Sequence, residues 1–159
     1  MSGATLRPIS EEDESFLINV YGVARAAELA LVQWNDAQKA AFITGQFLAQ
    51  RDHYQKHFPG AECSIVMVDD QPAGRFYVYR GQDEIRILDL TLLPEYRSRG
   101  AASGLVETLL AEAAQSNRRV RVYVETFNPS AAFFERRGFV KTEDDGINYL
   151  MIWSPSSEV

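Results

Sequence analysis

Two arginines and a glycine share one short turn of this chain. The stretch Leu93-Pro94-Glu95-Tyr96-Arg97-Ser98-Arg99-Gly100-Ala101-Ala102-Ser103 follows an apolar, β-rich run and precedes a helical one. A strand that feeds a glycine turn and then a helix leaves the first helical N–H groups without partners. Those groups and the helix dipole favour an anion. Gly100 lets a ligand come close to the backbone, and Ala102 is small to the same effect. Arg97 and Arg99 add charge and forked hydrogen bonds for phosphate oxygens. The ligand that suits this turn is a diphosphate. GxxxxGK[ST] is absent, and Gly100-Ala101-Ala102-Ser103-Gly104 does not supply GxGxxG. Taken alone, the turn also reads as a helix cap beside two solvated arginines.

Other reactive side chains carry less. Cys63 is the one cysteine, so no intrachain disulfide and no cysteine-rich metal site is available. It lies in a β-rich run and reads as a buried, inert thiol. His53 and His57 stand at i, i+4, a zinc-compatible spacing, but HExxH and a third ligand are missing, so no metal is expected. The net charge of −6 argues against broad nucleic-acid binding. No apolar run approaches a membrane span and no secretory leader pattern opens the chain, so a cytoplasmic protein is expected.

These residues need a scaffold. The 159 residues, 46% hydrophobic and 24% charged, suit a single domain, 1–159, with a frayed tail at 155–159. A short strand precedes Ser10, which caps a helix reaching about Leu31. Asn35 or Asp36 caps a second helix that ends near His57. Two β-rich runs around Asp69-Asp70-Gln71-Pro72 predict a hairpin, and Glu84 to Leu92 another strand. Apolar residues at Ala101, Ala102, Leu105, Val106, Leu109, Leu110 and Ala113 predict a helix after the turn. Arg119 to Thr126 alternates as a strand. Asn128, Pro129 and Gly138 mark a short helix with its cap, first residue and stop. A final strand covers Ile147 to Trp153.

The spacing Arg97-x-x-Gly100-x-Ala102 resembles the coenzyme A pyrophosphate loop of the GNAT superfamily of N-acetyltransferases. The lead-in from Leu88 and the later run Val124 to Phe139, with an asparagine before a short helix ending in Gly-Phe, are similar to that family's other hallmarks. The resemblance is strong from about Glu84 to Trp153, and the first half fits in element order. It implies an α/β (α+β) fold: a mixed, splayed sheet of about seven strands flanked by about four helices, with acetyl-CoA as cosubstrate where the fourth and fifth strands part. Carried over by position, the backbones of Leu90, Thr91 and Leu92 hold the pantetheine arm, and the Leu92 N–H stabilises the oxyanion. Arg97, Ser98, Arg99, Gly100, Ala101, Ala102 and Ser103 cradle the pyrophosphate. Asn128 contacts the arm, and Phe133 and Phe134 lie near the thiol. The chain departs from the family at Phe134, where a tyrosine often protonates the leaving thiolate.

The acceptor amine must be neutral to attack, which asks for a base. Glu84 and Asp89, on opposite faces of the fourth strand, are the candidates. In this fold the first two helices cover the acceptor. Tyr21, Arg25 and Glu28 share one helical face, and Gln50 and His53 share another with Tyr54 adjacent. Arg25 and Glu28 would suit a zwitterion. The implied function is N-acetyltransfer to a small-molecule amine by direct attack. Alternatives are a protein or peptide acceptor, a non-catalytic acyl-CoA-binding module, and a nucleotide-diphosphate binder. Exposed strand edges leave a homodimer open.

Overall fold

The first strand, β1 (Ala4–Pro8), passes through Ser10 into a single 3-10 turn, Glu11–Asp13. In the computed structural model, which describes residues 3–126 and 128–155, Asp13 ties this start down. Its carboxylate accepts the Ser10 backbone N–H at 2.8 Å and both arms of the Arg7 guanidinium at 2.9 Å. Helix α1 (Glu14–Ala24) follows, then α2 (Ala26–Leu29). The single helix expected to Leu31 is thus broken at Arg25, whose φ of −108° and ψ of 5° leave the helical region. Gly22 weakens the helix just upstream, and the Arg25 N–H turns back to the Gly22 carbonyl.

Helix α3 (Asp36–His57) begins as its sequence predicts. The Asn35 side chain accepts the Gln38 N–H at 2.8 Å, and the Gln38 side chain accepts the Asn35 N–H at 2.9 Å. Such a reciprocal cap is worth about 1 kcal/mol. Strands β2 (Glu62–Val68) and β3 (Gln71–Arg80) make the expected hairpin. Its turn residues Asp69 and Asp70 both have positive φ, 53° and 63°, the geometry that matches strand twist. Then come β4 (Glu84–Leu92), a 3-10 turn at Pro94–Tyr96, α4 (Ala101–Gln115), β5 (Arg119–Glu125), α5 (Ser130–Glu135), β6 (Val140–Asp144) and β7 (Asn148–Trp153). Among the described residues five α-helices stand where about four were expected, because of the break at Arg25.

The strand order is β1-β2-β3-β4-β5-β7-β6, a mixed seven-stranded sheet. β1 with β2, β5 with β7 and β6 with β7 are antiparallel, whereas β4 and β5 are parallel. The chain divides into two units, Met1–Tyr77 with Asp89–Ala101, and Val78–Leu88 with Ala102–Val159. In the first, α1 and α3 bury Leu17, Tyr21, Ile43 and Phe47 with Ile65 of β2. In the second, Val106, Leu109 and Ala113 of α4, Val120, Val122 and Val124 of β5, and Met151 of β7 are buried. Asn117, with φ of 54°, stops α4. Of the tail expected to fray, residues 156–159 lie outside the described residues. No described helix is long and apolar enough to cross a membrane.

Candidate active site

The end of β4 is the first feature. The β4–β5 ladder runs from Glu84↔Arg119 to Ile87↔Val122, inside the second unit. Leu90, Thr91 and Leu92 lie beyond it, in the first unit. The Leu93 N–H bonds the Ala73 carbonyl of β3 at 2.8 Å. Backbone groups alternate along a strand, so the N–H and C=O of Leu92 and Leu90 face the edge away from β3. Thr91 does otherwise: its carbonyl faces β3 at Gly74, and its hydroxyl donates to Asp89 at 2.9 Å. Thr91 is therefore not oriented as Leu90 and Leu92 are.

The turn after β4 carries two positive φ values, 62° at Ser98 and 84° at Gly100. Glycine meets this requirement without cost, and a serine does not. Arg97, Ser98, Arg99 and Gly100 are all exposed, and Ala101 is buried as α4 begins. The Arg97 Nε donates to the Leu92 carbonyl at 3.0 Å, which braces the turn against the strand end. Arg99 lies 3.8 Å from Asp69 and over the Tyr96 ring.

In the second unit, Ser103 is held by its neighbours. Its hydroxyl donates to Glu107 at 2.9 Å and accepts from Arg137 at 2.6 Å. The Asn128 side chain accepts the Ser130 N–H at 2.8 Å, so it caps α5 one residue further out than expected, with Pro129 between. Arg137 covers the Phe133 ring at 3.9 Å. Phe134, 5% exposed, packs its ring 5.1 Å from those of both Phe133 and Phe139.

The second feature is a cavity of about 440 Å³ in the first unit. Leu17 of α1, Phe47, Gln50 and Tyr54 of α3, Cys63 of β2, and Arg75 and Tyr77 of β3 line it. Ser10, Glu11, Glu14 and Arg51 line it as well. Arg75 is only 2% exposed. Its Nε donates to Asp89, one terminal nitrogen donates to Gln50 Oε1 at 2.7 Å, and its guanidinium lies over the Tyr77 ring at 4.7 Å. Burial opposes the charge on Arg75 most strongly of all, but Asp89, Tyr77 and Tyr54 together outweigh it and the pKa is raised. Burial pushes the Tyr54 and Tyr77 phenols and the Cys63 thiol up, so all three stay protonated at neutral pH.

Of the acceptor residues expected from sequence, Gln50 and Tyr54 line this cavity. Tyr21, 4% exposed, is instead a core residue, edge-on to Phe47 at 6.2 Å, with Arg25 stacked on it at 3.7 Å. Glu28 is exposed on α2, and His53 is exposed with its ring 4.5 Å from His57. Neither lines the cavity. Among the described residues, no three His, Cys, Asp or Glu side chains are grouped to hold a metal. The two base candidates are both ion-paired, Asp89 with Arg75 and Glu84 with three arginines. Sequence reasoning passed over Gly74 and Arg75. Their signals were a glycine and an arginine inside the apolar run of β3, which mark a close backbone approach and a buried partner.

A seven-stranded mixed sheet whose β4 and β5 pair for part of their length, followed by a glycine turn into a helix, defines an acyltransferase class. The chain belongs to the acetyltransferase (GNAT) family, whose model matches residues 26–139. Solved structures with the same fold include PaiA N-acetyltransferase from Thermoplasma acidophilum in complex with coenzyme A, 18% identical, covering 96% of this chain and 99% of that one, TM-score 0.71. An acetyltransferase from Thermus thermophilus is 18% identical over 97% of this chain and 99% of that one, TM-score 0.69. A histone acetyltransferase HPA2 and related acetyltransferase from Corynebacterium glutamicum is 17% identical over 100% and 99%, TM-score 0.68. No curated protein matches the sequence closely enough to count as a relative.

Proposed function

We propose that this acetyltransferase moves the acetyl group of acetyl-CoA to the primary amine of a small, cationic molecule that lacks a carboxylate. The observation that carries the acceptor class is the cavity walled by α1, α3, β2 and β3. Its volume of about 440 Å³ suits a small molecule. A peptide acceptor would call for an open groove. Charge then narrows the class. Asp89 takes the charge of Arg75, and Arg51 faces Glu14 at 3.6 Å. Among the described residues that line the cavity, no cation is left over to hold a carboxylate, and Glu11 adds negative charge at the rim. This replaces the zwitterion expected from Arg25 and Glu28, which do not line the cavity.

The roles of the cosubstrate residues follow the family resemblance. Leu90 and Leu92 offer backbone groups on one edge to the pantetheine arm, and the Leu92 N–H steadies the oxyanion as the thioester carbonyl becomes tetrahedral. The turn from Arg97 to Ala101, continued by Ala102 and Ser103, receives the pyrophosphate. Asn128, Phe133 and Phe134 take the arm and thiol end. The amine nitrogen attacks the carbonyl carbon, the C–S bond breaks, and CoA leaves as a thiolate while the amine loses its proton.

The test is calorimetric titration with acetyl-CoA, followed by CoA thiol release against amines, diamines, amino acids and peptides. Thiol release that depends on small amines, with amino acids and peptides poor, is the expected result. Release with peptides alone would overturn the acceptor class. A Gly100→Glu variant should lose CoA binding through clash and repulsion. Unchanged affinity there would remove the turn from the site.

A further inference from the structure

The buried Arg75 fixes more than its own charge. Its Nε donates to Asp89, and the Thr91 hydroxyl donates to the other oxygen of that carboxylate at 2.9 Å. One terminal nitrogen of Arg75 donates to Gln50 Oε1 at 2.7 Å. A guanidinium has donors and no acceptor, so only the oxygen of the Gln50 amide can face it. Turning the amide over would lose a charge-assisted hydrogen bond and set donor against donor. The Gln50 Nε2 is therefore held on the arm of the amide away from Arg75. Gln50 lines the cavity, and among the described residues nothing accepts from its Nε2. Thr91, Asp89, Arg75 and Gln50 thus form a chain of fixed polarity from β4 through β3 to α3, inside the first unit, and it ends on an NH2 group. Of the other polar residues around the cavity, Ser10, Glu11, Glu14, Arg51 and Gln55 are exposed, whereas Gln50 is half-buried. The phenols of Tyr54 and Tyr77 can turn to give or to accept a hydrogen bond, but the Gln50 nitrogen can only give one.

We propose that Gln50 determines specificity in the cavity, and that the acceptor amine also carries a neutral oxygen, a hydroxyl, ether or carbonyl, that accepts from the Gln50 Nε2. This rests on the assignment of the cavity to the acceptor. A molecule without such an oxygen displaces water from the Gln50 nitrogen and leaves the donor unpaired, which is how a polar site rejects an analogue that lacks one group. A second ammonium at the same place sets donor against donor, so a diamine is disfavoured. A carboxylate would accept the bond, but Glu11 and Glu14 repel it and Arg75 and Arg51 already face Asp89 and Glu14. The neutral oxygen is what remains. The anchor of the chain, Asp89, directly precedes Leu90, so the strand that presents its edge to the thioester also sets the direction of the Gln50 amide.

The experiment measures thiol release from acetyl-CoA by the full-length protein with three amines of similar length. Methoxypropylamine has an ether oxygen that accepts, pentylamine offers nothing there, and the far ammonium of diaminobutane only donates. Leu17 and Phe47 in the wall favour pentylamine in themselves, and the amines differ in basicity. The decisive quantity is therefore how each ratio of kcat/KM changes from wild type to variant, since both effects cancel in it. Gln50→Leu and Gln50→Glu should each lower the ratio of methoxypropylamine to pentylamine by about tenfold, as loss of one hydrogen bond predicts. Gln50→Glu puts an acceptor where the donor stood, and should raise the ratio of diaminobutane to pentylamine by about the same factor. A packing role for Gln50 would lower all three rates together and leave both ratios alone. Unchanged ratios, with all three amines turned over, would overturn this proposal and leave the acceptor class standing. No release with any amine would overturn the acceptor class, and this proposal with it.

Discussion

Gly74 gives the sharpest test of how the strand end is held. A Cβ at this position would sit 2.0 Å from the Thr91 carbonyl oxygen and 2.8 Å from the Leu92 Cα. Real Cβ contacts stay above 3.0 Å, so the backbone of β4 must retreat by about 1 Å (3.0 less 2.0) to admit a methyl group. Neither obstacle is the tip of a flexible side chain. Overpacking of this kind costs about 1–3 kcal/mol, against a gain below about 1 kcal/mol from a stiffer unfolded chain. Gly74→Ala should therefore destabilise the protein by about 1–2 kcal/mol. The catalytic effect should be larger, because a displacement of about 1 Å at a positioning strand costs about a hundredfold in rate. Gly104 is the matched control: it lies in α4, and a Cβ there meets nothing within 4 Å. Gly104→Ala should stabilise by about 0.5–1 kcal/mol. Urea unfolding of both variants and thiol-release kinetics of Gly74→Ala decide the matter. If Gly74→Ala unfolds like the wild type and keeps its turnover, β4 is not pinned against β3 as argued.

Three further outcomes are expected. Asp89→Asn strands the Arg75 guanidinium in the interior and should cost about 3 kcal/mol in urea unfolding, and a loss below about 1 kcal/mol would mean the pair contributes little. Asp13 is held down to about 2 from 3.8, by the Arg7 hydrogen bonds first, with burial opposing them. Its folded pKa lies below its unfolded one, so its contribution is full above 3.8 and is lost as pH falls toward about 2. Wild-type stability should drop more steeply across that window than that of Asp13→Asn, and parallel curves would dismiss the linkage. Finally, Glu28→Gln should leave acceptor KM unchanged, while Gln50→Ala should raise it several-fold at constant CoA affinity. The opposite pattern would return the acceptor to the α2 face.

What could be read from sequence was mostly local. The cap at Asn35 or Asp36, the hairpin around Asp69-Asp70-Gln71-Pro72 and the apolar period of α4 each depend on residues a few positions apart; all three elements are found, with Asn35 as the cap and Gln71 and Pro72 already in β3. The turn at Gly100 was legible because its φ of 84° is a demand that glycine itself announces. The break at Arg25 was not, since the apolar pattern continues across it and Gly22 is only a weak stop. Tyr21 was placed on the acceptor face with Arg25 and Glu28 because a shared helical face does not say which side a phenol takes, and here the ring faces Phe47. The partner of Asp89 was hidden for another reason. Arg75 lies fourteen residues upstream, and only the pairing of β3 with β4 brings them together.

The same pairing constrains how protons move. Phe134, where the family resemblance implies a tyrosine, is closed into a cluster with Phe133 and Phe139 and has no proton to give. Asp89 is engaged by both Arg75 and Thr91, and Glu84 by arginines, so neither base candidate stands open to an incoming ammonium. Tyr54 and Tyr77, pushed up by burial, are donors at neutral pH rather than bases. The reactive acceptor is then the fraction of amine that arrives already neutral. This makes the acid limb of log kcat/KM against pH a property of the acceptor, with a unit slope below the amine's own pKa. Two amines of similar size and different basicity should give limbs displaced by the difference in their pKa values. A limb that stays at one pH for both would belong to a group on the protein, and the case against Asp89 and Glu84 would fail.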